Sequence, residues 1–344
     1  MSATLLLTQR DVARLVDIPI AIRIVTAVFR AMARGKATMP SKVYLSLPDG
    51  DFRAMPASLA QPSTCGIKWV NVHPDNRRLK LPTVMAMIVI NDPKTGFPLA
   101  VMDGLLITKL RTAAAGAVAA RALARRDSSI VGLVGCGAQA GAQLLALARV
   151  VRLSLMKVWG YLPCEAQRFC ARMRRQLPRV IFEPMATVER CAREVDLLVT
   201  ITPSRHPLVK RAWLSSGTHI NAMGADAPGK QELEARILND ATVVVDEREQ
   251  AIHGGELNVP VARGQFSPRD IFASLGDILI GRKRGRSSSA ELTVFDSTGL
   301  AIHDIALGHE VVRRALRRGL GRRIAFFELR SRADAGRHQT ATDV

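Results

Sequence analysis

No stretch of this 344-residue chain stays apolar long enough to span a bilayer: Ala113–Ala120 is brief, and Arg149 interrupts Leu144–Val151. The first ten residues lack a basic segment and carry too short an apolar core for a secretory leader, so a cytoplasmic protein is expected. The five cysteines (Cys65, Cys136, Cys164, Cys170, Cys191) are odd in number and contain no Cys-x-x-Cys. No histidine stands at zinc spacing from them, so a disulfide framework and a zinc module are both excluded and no metal is expected. Aromatic residues make up only 4% of the chain, and no repeat or low-complexity segment is present.

Acidic residues are also in deficit, leaving a formal charge of +19 that is mostly arginine, clustered at Arg121–Arg126, Arg172–Arg179, Arg282–Arg286 and Arg314–Arg323. Such a charge raises nucleic acid as a partner. The paucity of aromatics, the placement of the clusters beside helices and the absence of a binding motif favour solvated helix faces instead. With 48% hydrophobic residues the chain can bury two domain-sized cores of about 100–200 residues each. The segment 331–344 is polar and aperiodic, which reads as a flexible tail.

What is present is a short apolar run, Ile130–Val134, that breaks into Gly135-Cys136-Gly137-Ala138-Gln139-Ala140 and then a helix-forming stretch. In this Gly-x-Gly-x-x-Ala pattern Gly135 permits a tight turn, Gly137 admits a pyrophosphate close to the backbone, and Ala140 lets the helix lie near its sheet. Further apolar runs follow at Leu155–Trp159, Val180–Glu183, Val195–Ile201, His219–Met223, Thr242–Asp246 and Leu292–Asp296, mostly separated by helix-compatible segments. This alternation predicts an α/β protein with a Rossmann-type doubly wound parallel sheet.

The N-terminal third reads differently. Ile18–Ala33 has helical periodicity, and Val43–Leu47, Phe52–Met55, Gly66–Val70 and Val84–Ile90 read as strands with turns at Pro48–Asp51 and Asp92–Gly96. Connections this short fit antiparallel pairing. A helix over Ile107–Arg125 leads into the nucleotide strand, and Ile324–Leu329 is expected to return as a strand. The division that follows is a discontinuous substrate-binding domain, 1–111 with 305–330, and a dinucleotide-binding domain, 112–304.

Four cations stand in distinctive contexts: Lys42 in Met39-Pro40-Ser41-Lys42, Arg53 before Ala54-Met55-Pro56, Lys68 before Trp69-Val70-Asn71, and Arg111 before Thr112. With Thr202-Pro203-Ser204, Gly224-Ala225-Asp226-Ala227-Pro228-Gly229-Lys230, His253-Gly254-Gly255-Glu256 and Asp296-Ser297-Thr298-Gly299, the chain resembles the ornithine cyclodeaminase/μ-crystallin superfamily, most closely its archaeal-type alanine dehydrogenases. The resemblance implies a Rossmann domain plus an α/β domain that binds substrate and carries a homodimer interface. It further implies that Lys42, Lys68 and Arg111 hold the carboxylate of a small 2-oxo or 2-amino acid, which suits the chemistry of a guanidinium fork and a lysine point charge.

Lys68, crowded by other cations, is the candidate proton donor or acceptor, since such crowding lowers a lysine pKa toward neutrality. Asp226 lies at a strand's carboxyl end, and the family uses it as a base or to handle ammonia; the alternative is a cap for a helix beginning near Gln231. Thr83, Thr112, Gly135, Gly137, Ala138, Gln139, Thr202, Pro203 and Asp296 are expected to line the dinucleotide groove. No role is evident for His253–Glu256.

Arg53 bears on the substrate, because ornithine cyclodeaminases tend to place a glutamate there. A cation would repel a second ammonium, and like charges near 4 Å cost ~1 kcal/mol in water and several times that in a closed cleft. Pyruvate and alanine are therefore preferred to ornithine. The strand Leu155–Trp159 ends in Gly160 where an acid would hold the ribose, so NAD is expected through the resemblance while NADP stays open through Arg168. A ketimine reductase or a μ-crystallin-like NAD(P)H- and ligand-binding protein shares the same cations.

Overall fold

The computed structural model describes residues 3–327. Two sheets, each of eight strands among the described residues, are held together by helices. The expected tail 331–344, the end of the strand expected over Ile324–Leu329 and the last residues of the 305–330 segment lie outside the described residues.

The second sheet is parallel throughout, in the order Ile181–Pro184, Leu155–Trp159, Ile130–Val134, Leu197–Thr200, His219–Ala222, Thr293–Asp296, Thr242–Val245, Ala273–Ser274. Its central strands are buried along their whole length, which is why they read as continuous apolar runs rather than alternating ones. From Ile130–Val134 the chain winds outward in one direction through Leu155–Trp159 and then in the other through Leu197–Thr200. The crevice where the order reverses is the usual place for a ligand on such a sheet.

The first sheet pairs Ala37–Thr38 and Val43–Leu47 with Gly50–Leu59, then runs through Thr64–Val72, Val84–Asn91 and Pro98–Asp103 in antiparallel register. Three of its strands, Thr4–Leu7, Ala37–Thr38 and Pro98–Asp103, are absent from the sequence reading, and the returning strand expected over Ile324–Leu329 lies at Arg322–Ile324 among the described residues. Thr4–Leu7 joins Pro98–Asp103 in parallel, so the sheet is mixed rather than wholly antiparallel. Arg322–Ile324 closes the other side of Thr4–Leu7. The period-2 alternation divides the Thr64–Val72 strand sharply: Lys68 and Val70 are buried, while Trp69 is 39% exposed. The covered face packs beneath the Ala301–Arg318 helix, whose Ile305 and Gly308 lie against Gly66 and the Ile88–Ile90 segment.

The helix Leu105–Leu123 is buried nearly all round, as its alanines allow; a helix apolar on every face belongs in an interior. One continuous apolar core runs from Leu5, Ile88 and Ile90 through this helix to Leu133 and Val199, so both sheets share it. Asn221 Nδ2 donates to Gly116 O at 2.9 Å, tying the helix to the second sheet. No helix among the described residues is long and apolar enough to cross a membrane.

Gly135 has φ of +105°, and a Cβ there would meet Ile201 O at 2.7 Å, whereas a Cβ at Gly137 would meet nothing within 4 Å. The first glycine is required by the turn and by the neighbouring strand; the second leaves space above the helix start. Gly135→Ala is therefore expected to lose about 1–3 kcal/mol of stability. Each kcal/mol is worth roughly 2–4 °C in Tm for a unit of this size. Gly137→Ala should leave Tm unchanged, and equal losses in the two variants by differential scanning fluorimetry would refute this account of the turn.

Candidate active site

Five residues singled out in the sequence, Lys42, Arg53, Lys68, Arg111 and Asp226, converge where the covered face of the first sheet meets the carboxyl ends of the second. Two charge clusters organise them. In the first, Lys68 Nζ donates to Asp304 Oδ2 at 2.6 Å and Arg111 Nε donates to Asp304 Oδ1 at 3.2 Å. Asp304 is fully buried in the first turn of Ala301–Arg318, where the helix dipole also favours an anion. Burial opposes its charge, but Arg111 and then Lys68 outweigh that and hold its pKa below the usual range.

Lys68 is 1% exposed. Desolvation first and the charge of Arg111 second lower its pKa to about 7, Asp304 pulling the other way. Cation crowding, the cause expected from the sequence, is thus the lesser one. Arg111 Nε is spent on Asp304, and the guanidinium packs against the loop after Thr293–Asp296: a Cβ at Gly299, where φ is +80°, would meet Arg111 Nη1 at 2.5 Å. That loop is fixed by buried Asp246, which accepts from Gly299 N at 2.9 Å and from Thr298 Oγ1 at 3.1 Å.

Lys42 crosses from the first sheet's strand-and-turn region to the same loop, its Nζ donating to Thr298 O at 2.6 Å. Its pKa falls to about 8, mainly by desolvation, with Asp226 and Asp246 raising it and Arg111 and Arg53 lowering it. The same lysine therefore feels both clusters.

In the second cluster Arg53 Nε donates to Asp51 Oδ1 at 2.8 Å and its Nη1 to Asp226 Oδ2 at 2.8 Å, while Lys230 Nζ takes the other Asp226 oxygen. Tyr44 lies beneath the guanidinium, 5.3 Å from ring centre to Cζ, and its hydroxyl donates to Asp226 O at 2.9 Å. Desolvation would raise the Asp226 pKa, but Lys230, Arg53 and Lys42 drive it well below the ordinary carboxylate range. Asp226 therefore stays ionised, while among the cations of the two clusters Lys68 lies nearest neutrality, where a side chain can exchange a proton. The helix near this loop spans Ala235–Asp240, and Asp226 is not its cap. For Arg53, desolvation is outweighed by Asp226 and Asp51, so its charge is secured but largely answered.

The groove residues fall at the switch point. Gly135, Gly137 and Ala138 form the turn before the helix Ala140–Leu147, and Gln139 stands at its N-cap with a buried Oε1 that has no partner among the described residues. The space over Gly137 and this orphaned oxygen fit a dinucleotide cradle. Thr112 O accepts from Gln143 Nε2 at 3.2 Å, joining the long helix to the cradle helix. Thr83 stands apart at the start of Val84–Asn91, its carbonyl accepting from His73 N at 2.8 Å. Gly160 has its place because a Cβ would strike Cys136 Sγ at 2.6 Å, and Arg168 turns back onto Cys164 of its own helix.

Thr202, followed by Pro203, is held by a residue the sequence did not single out. Glu232 Oε1 accepts from Thr202 N at 2.6 Å and Thr202 Oγ1 at 2.7 Å, and its Oε2 accepts from Gly224 N at 2.9 Å. One carboxylate thus clamps the ends of two adjacent strands, including the loop that carries Asp226. Burial raises the Glu232 pKa to about 7 against these donors. Glu256 accepts from Glu232 N at 2.9 Å and Leu233 N at 2.6 Å, which gives the His253–Glu256 segment its structural purpose. Asp296 is also fully buried, accepting from Leu257 N at 3.3 Å, and burial followed by the charge of Asp246 raises its pKa well above normal.

Residues 2–319 match the model of the ornithine cyclodeaminase/mu-crystallin family. The alanine dehydrogenase of Archaeoglobus fulgidus is 48% identical over 326 residues, covering 95% of this chain and 99% of the relative. Among solved structures, an archaeal alanine dehydrogenase dimer with bound NAD has a TM-score of 0.91 at 48% identity, covering 94% of this chain and 100% of that one. The Δ1-pyrroline-2-carboxylate reductase of Thermococcus litoralis, in complex with NADH and L-proline, has a TM-score of 0.90 at 33% identity, covering 93% and 100%.

Removing Asp304 would leave two buried cations without their counter-ion. Asp304→Asn is expected to cost about 3–5 kcal/mol by urea denaturation. The wild-type Lys68 pKa, about 7, is already below its unfolded value of 10.5, and losing Asp304 lowers it further. Keeping or shedding that proton therefore penalises the variant most at pH 6, where wild-type Lys68 is charged and paired. By pH 9 Lys68 is neutral in both proteins, so the deficit should shrink by about 1 kcal/mol. A deficit independent of pH would show that Lys68 does not titrate in this window.

Proposed function

The chain belongs to the ornithine cyclodeaminase/mu-crystallin family, and we propose that it is an NAD-dependent amino-acid dehydrogenase interconverting L-alanine and pyruvate plus ammonia. The observation that carries this reading is the buried Lys68, poised near neutrality and flanked by Arg111 and Lys42, whose charges suit the carboxylate of a small 2-oxo acid. The 48% identity with an alanine dehydrogenase supports the same substrate. We assign substrate binding to 1–111 with 305–330 and dinucleotide binding to 112–304.

Arg111, held through Nε, presents its terminal nitrogens to the carboxylate, and Lys42 adds a second cation from the opposite wall. Lys68 gives a proton to the departing ketone oxygen when ammonia replaces it, and takes one back in the direction of deamination. Ammonia attacks C2 as the neutral amine, and Asp226, kept ionised with both oxygens engaged by Arg53 and Lys230, holds those cations and its own loop in place beside the cleft. Gly135–Gln139, with Thr112, Thr202 and Asp296 along the groove, would hold a dinucleotide, which would supply hydride chemistry at C2; Thr83 stands apart from that groove. Gly160 offers no cation for a 2′-phosphate and the exposed Arg168 is bonded back onto Cys164; with the NAD and NADH bound in the similar structures, this supports NAD rather than NADP.

Arg53 argues against a diamino acid with less force than its charge alone suggests, because Asp51 and Asp226 answer it. The preference for alanine over ornithine then rests on the absence of a free carboxylate at this position.

The homodimer is proposed through the open face of the first sheet. Trp69 pairs across the strands with Met87, which is 54% exposed, and Phe52 stacks on Trp69 with centroids 5.2 Å apart; together with Leu81 and Met85 they line a concavity of about 680 Å3. Exposed aromatic and methionine side chains gathered on one sheet face are the kind of surface that a subunit interface covers. The free cysteines among the described residues agree with a reducing, cytoplasmic setting.

Three measurements bear on this reading. NADH oxidation with ammonium should be fastest with pyruvate among 2-oxo acids and exceed turnover of Δ1-pyrroline-2-carboxylate; ornithine-dependent ammonia release in its place would make the chain a cyclodeaminase. The kcat/KM for amination, which needs protonated Lys68, should fall as pH rises through about 7, and that for deamination should rise across the same window. Lys68→Arg should remove this inflection and lower kcat by about 10²–10⁴; an unchanged profile would remove Lys68 from the proton transfer. Met87→Glu should yield a monomer by light scattering, and a retained dimer would place the interface elsewhere.

A further inference from the structure

Outside the catalytic cleft, along the edge strand Ala273–Ser274, lies an open cavity of about 770 Å3 walled by Arg248, Arg269, Arg282 and Lys283. Only two carboxylates line it, Asp270 and Asp277, and the second is already engaged: it accepts from Arg282 Nη1 at 2.8 Å and from Ser274 Oγ at 2.8 Å. Arg248 spends its fork on neutral partners, donating to Pro268 O at 2.8 Å and Ile271 O at 3.1 Å, so its position is fixed while its charge is uncancelled. Lys283 Nζ sits 5.4 Å from the ring centre of Phe272, a half-exposed aromatic on the same wall. No ion pair is recorded for Arg269 among the described residues.

We propose that this cavity is a binding site for an anion carrying two or more phosphoryl groups. Four cations against two carboxylates leave an excess of two positive charges around one concavity, which calls for more than one negative charge, and guanidinium groups match phosphoryl oxygens bidentately. The volume exceeds the needs of a single small anion, and Phe272 offers an apolar surface beside the charges.

The site is separate from the dinucleotide cradle. Five strand spacings divide Ala273–Ser274 from Ile130–Val134, roughly 24 Å at ~4.8 Å each. It nevertheless has a route to the active site. Arg248, Asp277 and Arg282 also line a neighbouring cavity of about 320 Å3 that reaches Asp246, the carboxylate that fixes the Ser297–Gly299 loop.

The test is isothermal titration calorimetry of the full chain with inorganic pyrophosphate and, separately, ATP, each with and without saturating NADH. The expected result is one site per chain whose affinity is unaffected by NADH. Arg269→Ser/Lys283→Ser, both exposed, should weaken it about tenfold or more with Tm preserved, a tenfold loss being about 1.4 kcal/mol. The charge-matched control Arg149→Ser/Arg179→Ser should retain the affinity. Binding of both anions indicates phosphoryl recognition alone, and of ATP alone a nucleotide. Absence of binding, displacement by NADH, or equal weakening in the two double variants would overturn the proposal.

Discussion

The arrangement at the cleft depends on one buried carboxylate. Asp304 pairs with Lys68 and Arg111 together, one negative charge against two positive, in an interior that would otherwise expel Arg111 or strip the proton from Lys68. Its placement demands three elements at once: a strand of the first sheet for Lys68, the long apolar helix for Arg111, and the opening turn of Ala301–Arg318 for itself. The helices that join the sheets are thus fixed by charge at the same point where they are fixed by packing. Glu232 performs a comparable office for the second sheet, holding two strand ends in register through three donors.

Much of this could be read from the chain alone where the signal was local. Apolar runs bounded by turn residues gave the parallel strands to within a residue or two, except the two-residue edge strand Ala273–Ser274, and the turn at Gly135 announced itself through its glycines. Lys68 stood out because a cation inside an apolar strand is costly. Thr4–Leu7 escaped notice because four residues have too little pattern, and their pairing partner, Pro98–Asp103, lies far along the chain. Asp304 escaped for a related reason. It meets Lys68 across 236 positions and Arg111 across 193, and nothing in its immediate neighbours reports those partners. Glu256 lay in a segment already noticed, but its function is to receive backbone N–H groups of residues 232 and 233, a duty invisible without coordinates.

Charge was the least faithful guide. Arg53 and Asp226 read separately as a repelling cation and a base; in the fold they face each other, with Asp51 and Lys230 completing an alternating set. Formal charges counted along a sequence omit such mutual cancellation. The converse holds at the edge of the second sheet, where Arg248 is satisfied by carbonyls and keeps its field. The +19 excess is therefore distributed unevenly, quenched in some clusters and expressed in others.

The bond from Lys42 to Thr298 O has a consequence for the cost of recognition. A lysine has about 2 kcal/mol of rotamer entropy to lose when it is immobilised. Here the side chain is already restrained by a single donation, and an ammonium has three hydrogens to give. It can keep its hold on the loop and still offer two more to a ligand, so part of the ordering penalty belongs to folding rather than to association. Preorganisation of this kind favours affinity without added contact area.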